Sequence, residues 1–367
     1  MRLIWPGRDE RALLGRFYVS STLGETLAIV QPFEFAYLFL VMERPDWAVF
    51  PFLVGSACTL LLQVPAGILA DRWSRKRSAL LGYALSGASW ACIPFAVSAE
   101  GPAQLIAVSA CFALDGVGDA LVSGAEDAWV VDNLKSEGRD DLIGQFYARV
   151  DSFDSFGGIL AGAAALAVLL LSGADRAILD LLWFVTAGGQ FLVILVAATI
   201  PERHPAAAEA TAAGWRLADL AGAFSNAGAF LKARPLLFFA VVMVVASFAD
   251  SITEDAFVMS MITKGLDGRA LAPLGIAEDL IGMVFPMVGL YLARRMGAPL
   301  FLTLFLVVPA VAACALFLQP GLWGVVALCL LLDVCEVVWD PVAHGQLQEM
   351  LPSRHRATLM AAVNQFN

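Results

Sequence analysis

The sequence predicts an all-α polytopic membrane protein, and three observations predict it. Of 367 residues, 59% are hydrophobic and 15% charged, with a mean hydropathy of +0.76; soluble domains average about 45–50% apolar and about 25% charged residues. The apolar residues fall in runs of about 20 or more, long enough to cross a bilayer core of about 30 Å as helices. The lysines and arginines crowd into alternate connections between those runs.

Ten such segments follow one another: 14–41, 47–70, 78–98, 103–131, 143–172, 177–200, 236–262, 272–293, 298–318 and 322–348. Each must be helical, because lipid offers no partner to an unpaired backbone group. The leader "MRLIWPGRDERALLGRF" lacks the short apolar core and cleavage site of a signal peptide. It is expected to stay in the cytoplasm, with the first segment directing insertion. With the N-terminus inside, 19 of the 23 Lys and Arg residues fall on the cytoplasmic side. Only Arg44, Arg176, Lys264 and Arg269 fall outside. This is the positive-inside pattern, and it predicts a multi-pass protein of the inner or plasma membrane.

Residues 1–200 hold six segments and predict an N-terminal six-helix bundle. The connection 201–235 divides them from the rest. Trp215, Leu217, Leu220, Phe224 and Leu231 give its second part an irregular amphipathic character, which suits either a helix lying on the membrane surface or a plain linker. Residues 236–367 form the second group. The final stretch "LPSRHRATLMAAVNQFN" begins another apolar helix after Arg356 and stops about three turns in. The expectation is ten full membrane helices and the start of an eleventh, in a C-terminally truncated second bundle.

The net charge of −10 and pI near 4.8 argue against nucleic acid as a partner. All six cysteines (Cys58, Cys92, Cys111, Cys314, Cys329, Cys335) lie in apolar segments without CxxC or Cys/His metal spacing. No His/Glu metal motif, GxSxG elbow or phosphate loop is present, so neither an enzyme nor a cofactor is expected.

The densest charge cluster is "GILADRWSRKRS", residues 67–78, which includes Asp71, Arg72, Arg75, Lys76 and Arg77. With Gly67, it resembles the G-x-x-x-D-R-x-G-R-[KR]-[KR] signature of the major facilitator superfamily, found between membrane helices 2 and 3; Ser74 stands where that pattern usually has glycine. A fading copy, "GLYLARRMG", follows the eighth segment, with Gly289 matching Gly67, Arg294 matching Arg72, and Ala293 replacing the aspartate. The resemblance covers nearly the whole chain. It implies two pseudo-symmetric six-helix bundles around a central cavity. It also implies a gating role for the cluster: Asp71 meeting the start of the eleventh helix near Arg356 to Thr358, a base such as Arg75 meeting Asp132, and Gly67 allowing close approach. On the residues alone, the bases could simply fix topology. In the fifth segment, "SFGGILAG" (Gly157, Gly158, Gly162) resembles a glycine-rich antiporter motif without its proline, and serves equally as a close helix contact.

Charges at membrane depth are costly and by default mark a pathway or a partner. The first segment carries Glu25 and Glu34, and the fourth carries Asp115, Asp119 and Glu126 on one helical face. The seventh carries Asp250, then Glu254 and Asp255; the tenth carries Asp333, Glu336 and Asp340, continued by His344. The resemblance makes these four segments the lining of the cavity. Its acids, with no basic residue at mid-depth, suit a proton carrier or a site for a cationic, lipophilic substrate; individual acids could also act as interhelical glue. The expectation is a drug-efflux-like transporter exchanging a small molecule for protons, acting as a monomer in the bilayer. A nutrient or metabolite importer and a non-transporting sensor or assembly protein are the alternatives.

Overall fold

The computed structural model describes residues 6–31, 34–172, 175–203, 271–315 and 321–351, with 242, 261, 264, 318 and 360. Among them the regular elements are all helical. They are α1 (Arg8–Leu27), α2 (Glu34–Val41), α3 (Val49–Arg72), α4 (Arg75–Ala96), α5 (Pro102–Val122), α6 (Ala125–Ser136), α7 (Ile143–Ser172), α8 (Arg176–Ala198), α9 (Leu271–Met296), α10 (Ala298–Ala315) and α11 (Leu322–Met350), plus short 3-10 turns at Pro45–Ala48 and Asp140–Leu142. Among the described residues, six helical stretches are long and apolar enough to cross a membrane: Pro45–Arg72, Arg75–Ala96, Pro102–Ser136, Arg176–Ala198, Ile276–Met296 and Leu322–Gln348. The seventh predicted segment, 236–262, the connection 204–235, and Arg356 to Thr358 lie outside the described residues.

Two expected continuous helices are broken. The first segment, expected over 14–41, splits into α1 and α2: Ala28 leaves the helical region with ψ 44° and its amide returns to the Glu25 carbonyl. The fourth, expected over 103–131, splits into α5 and α6 at Ser123 and Gly124. Ser123 turns extended with ψ 133°, and Gly124 adopts φ +67°, a left-handed conformation that costs a glycine little. The loop expected at 71–77 nearly vanishes instead. α3 runs on through Arg72, α4 begins at Arg75, and only Trp73 and Ser74 join them.

Ser74 explains why glycine is not needed in that joint. Its backbone is extended, and its hydroxyl accepts the Arg77 amide at 3.0 Å as an N-cap. Three basic residues in the first turn of α4 sit at the unfavourable end of the helix dipole. Glu202 offsets them: its carboxylate accepts the Arg75 amide at 2.8 Å and the Ser74 hydroxyl at 2.5 Å. Lys76 turns away to cap the end of α8, donating to the Ala198 and Ile200 carbonyls at 2.6 Å each.

Helix α1 lies against α7 and α8, α5 against α3 and α4, and α4 against α8; the second group joins the first through α9 and α11 on α7. Two large apolar cores lie in the first group, with smaller alanine-rich contacts between them. One, at the end carrying the 73–74 joint (the joint end), holds Leu14, Phe17, Trp129, Phe146 and Ile200. The other, at the opposite end, holds Val30, Tyr37, Ile93, Phe112 and Trp183. The helix breaks and most of the membrane acids fall between them. Outward faces are apolar, with Leu61, Phe95, Leu170, Leu171 and Leu195 exposed, as expected of surfaces solvated by lipid rather than water.

Candidate functional site

At the joint end, Arg75 is 1% exposed although always charged. Its guanidinium forms an ion pair with Asp132 of α6 and donates to Asp71 Oδ1 at 3.0 Å and the Ala128 carbonyl at 3.1 Å. Three acceptors thus surround one buried cation and tie α3, α4 and α6 together. Asp71 faces Arg75 within its own cluster, and its expected partners near residues 356–358 fall outside the described residues. Gly67 is buried one turn before Asp71, Arg72 is half-buried and Arg77 exposed. The segment after α8 is fastened beneath: Trp129 Nε1 and Asn133 Nδ2 donate to the Pro201 carbonyl at 3.0 and 2.8 Å.

Among the described residues most of the membrane acids gather into three groups, and the helix breaks decide which acid joins which. Near the opposite core, Glu34 of α2 lies within electrostatic reach of Asp115 and Asp119 of α5; Asp115 is bonded by Ser86 and Trp90 of α4. Glu25 is excluded from this group by the turn at Ala28. Glu126 is excluded by the turn at Gly124, so the single face expected for Asp115, Asp119 and Glu126 does not form. Its carboxylate accepts the Tyr83 hydroxyl instead.

The second group lies where three helices meet. The Ser21 hydroxyl of α1 is 2.6 Å from both carboxylate oxygens of Asp154 on α7. Asp154 is within electrostatic reach of Glu25 and Glu126, and Glu25 of Asp279 on α9. The "GG" pair of α7 makes this possible. A Cβ at Gly157 would stand 2.8 Å from Glu25 Cβ, and one at Gly158 would stand 3.2 Å from Asp279 Oδ1. The two glycines therefore let an acid from the first helix group and one from the second rest on neighbouring faces of one helix.

The third group lies nearer the joint end and combines Asp127 of α6, Tyr147 and Asp151 of α7, and Asp340 and His344 of α11. His344 Nδ1 is 3.0 Å from Asp340 Oδ2, and its ring stacks on Tyr147 with centroids 5.8 Å apart. On the same α11 face Asp333 is half-buried and Glu336 exposed. Asp250 and Glu254 lie outside the described residues. Arg149 is not available to either of these last two groups: it pairs with Glu10, which also accepts the Tyr18 hydroxyl at 2.9 Å.

Sequence reasoning missed Asp127, Asp151, Asp154 and Asp279 as members of these groups. The three-residue spacing of Asp151 and Asp154, just before Gly157 and Gly158, was the available signal. Asp180, by contrast, is structural: it accepts the Tyr37 hydroxyl and pairs with Arg176 at 3.7 Å, holding α2 to α8. Among the described residues no group of His, Cys, Asp and Glu has the geometry to hold a metal ion.

No match is found among curated proteins. Among solved structures, a bacterial homologue of the iron transporter ferroportin in an outward-facing state is similar, at TM-score 0.70 and 17% identity, covering 96% of this chain and 88% of that one. The proton:xylose symporter XylE bound to 6-bromo-6-deoxy-D-glucose is similar at TM-score 0.66 and 15% identity, covering 97% of this chain and 86% of that one. At such identities the likeness is one of fold. The sequence model of the Major Facilitator Superfamily matches residues 46–367. The chain is a multi-pass membrane protein and belongs to the major facilitator superfamily of transporters.

Proposed function

We propose that the chain is a secondary transporter that exports a lipophilic or cationic small molecule in exchange for protons, by alternating access between its two helix groups. The observation that supports this most is the meeting of Glu25, Asp154 and Asp279 across the Gly157–Gly158 contact. Acids from both groups face one another at membrane depth, and Arg149, the base nearest them on α7, is engaged by Glu10. Such a layer holds either protons or a cation, and the two compete for the same carboxylates. That competition is the chemical basis of exchange. A charge left there unpaired would be costly, so the occupant of the site biases which end opens.

In this reading the joint end faces the cytoplasm of a bacterial-type inner or plasma membrane, as the basic residues predict. The Arg75–Asp132–Asp71 cluster would hold that end while the cavity faces outward. The test is efflux of a cationic dye from cells expressing the protein. Export stops when the proton gradient is dissipated; export that continues unchanged removes the coupling.

A further inference from the structure

We propose that His344 is a proton-binding lock: when protonated, it fastens the second helix group to the first at the joint end. The inference rests on the alternating-access reading but not on any substrate. Its ground is the placement of one imidazole among three carboxylates from both groups. Asp340 is on its own helix, 3.0 Å from Nδ1. Asp127 of α6 and Asp151 of α7 reach it electrostatically from the other group, and the Tyr147 ring of α7 lies parallel against it, at 27°.

The backbones meet at the same level. A Cβ at Gly345 would stand 3.3 Å from Gly144 Cα, and Lys135 Nζ donates to the Gln348 carbonyl at 3.3 Å. Any separation of α11 from α6 and α7 must therefore pull the imidazole away from Asp127 and Asp151. Helices α9 and α10 also pack on α11. Their titratable groups lie elsewhere: Glu278 beside Cys329, Asp279 against Gly158, Arg294 toward Asp141, Arg295 over Tyr291 and Cys314 exposed. Tyr147 faces Asp127, and Tyr83 of α4 reaches Asp127 from behind.

The sign follows from Coulomb's law. With a proton on His344, one cation is shared by Asp340 of its own group and two acids of the other, and the interface is attractive. Without it, the contact loses the one cation that Asp340, Asp127 and Asp151 share, and separation is favoured. Histidine is the side chain whose charge changes between about pH 5 and 8, so the lock responds to the pH at that end of the protein.

The test uses spin labels at Ser136→Cys and Arg295→Cys, both exposed and in different helix groups. The background has the native cysteines replaced, and the protein is held in nanodiscs. Distances are measured by electron resonance between about pH 5.5 and about pH 10, a window wide enough for an imidazole among carboxylates. The expected result is a short distance at low pH that lengthens as pH rises. His344→Gln removes the short population, and His344→Lys keeps it at every pH. A distance independent of pH, or a His344→Gln protein with the same midpoint, overturns the lock. If His344→Gln fails size-exclusion chromatography, His344→Lys decides: titration like the unsubstituted protein overturns the lock. Loss of proton-driven export with the pH-dependent distance intact would remove the exporter reading and leave the lock standing.

Discussion

The cluster at Gly67 to Arg77 and its copy at Gly289 to Pro299 occupy corresponding positions in the two helix groups and are held together by different forces. In the first, Asp71, Asp132 and the Ala128 carbonyl enclose the buried Arg75 guanidinium. In the second, Ala293 replaces the acid and packs with Phe301, Val338 and Val342. The offset that pairs Gly67 with Gly289 pairs Arg75 with Gly297, whose φ of +86° suits glycine and strains other residues. The copy has thus lost its acid and its base together. Removing either one alone would bury an unmatched charge. Apolar packing is the lower-risk substitute for an ion pair, and the charged version persists where it ties three helices.

The comparison is broken most forcefully at Asp132. Asp132→Ala removes a carboxylate paired with the buried Arg75, and is expected to cost about 3 kcal/mol, at the low end of breaking a buried pair. Denaturant unfolding of the purified protein measures it. In the copy, Gly289→Leu forces a side chain where a Cβ would already stand 2.8 Å from Val338 Cα. Overpacking of that kind costs about 1–3 kcal/mol, seen as a fall in melting temperature. Glu202→Gln weakens the anionic cap on α4, and a loss of about 1 kcal/mol is expected.

The smallest effect belongs to Asp141. Its hydrogen bond and ion pair with Arg139 hold its carboxyl below the usual range. A depressed acid stabilises above its unfolded value, and that contribution is lost as pH falls. Because the pair is at the surface, it is screened. Asp141→Asn is expected to leave the melting temperature unchanged at neutral pH, and a clear drop would show that surface pairs here matter more than the buried cluster implies.

Much of the fold was legible because lipid removes alternatives: apolar runs must be helices, and basic residues must alternate. The predicted 143–172 coincides with α7, and the ends of α8 and α11 differ by only a few residues. The breaks at Ala28 and Ser123–Gly124 were passed over although Pro32 and the Ser123–Gly124 pair are helix-breaking signals, because both sit inside long apolar runs. That one failure spread into the site. The spacing argument carried across the second break placed Glu126 with Asp115 and Asp119 on one helical face that does not form. Asp279 was overlooked for a different reason. Its importance comes from Gly158 on another helix, and pairing between distant helices is written in no local pattern. Glu202 was hidden by its position in an apparent linker.

The central claim is that the Glu25–Asp154–Asp279 layer carries the protons exchanged for a cationic compound. Its most direct test is accumulation of a cationic dye by everted membrane vesicles under an imposed pH gradient, comparing the protein with Glu25→Gln and Asp279→Asn. Each substitution removes one negative charge and preserves side-chain size. The account predicts gradient-driven accumulation that falls to background in both variants at unchanged expression. Undiminished accumulation in both would contradict it.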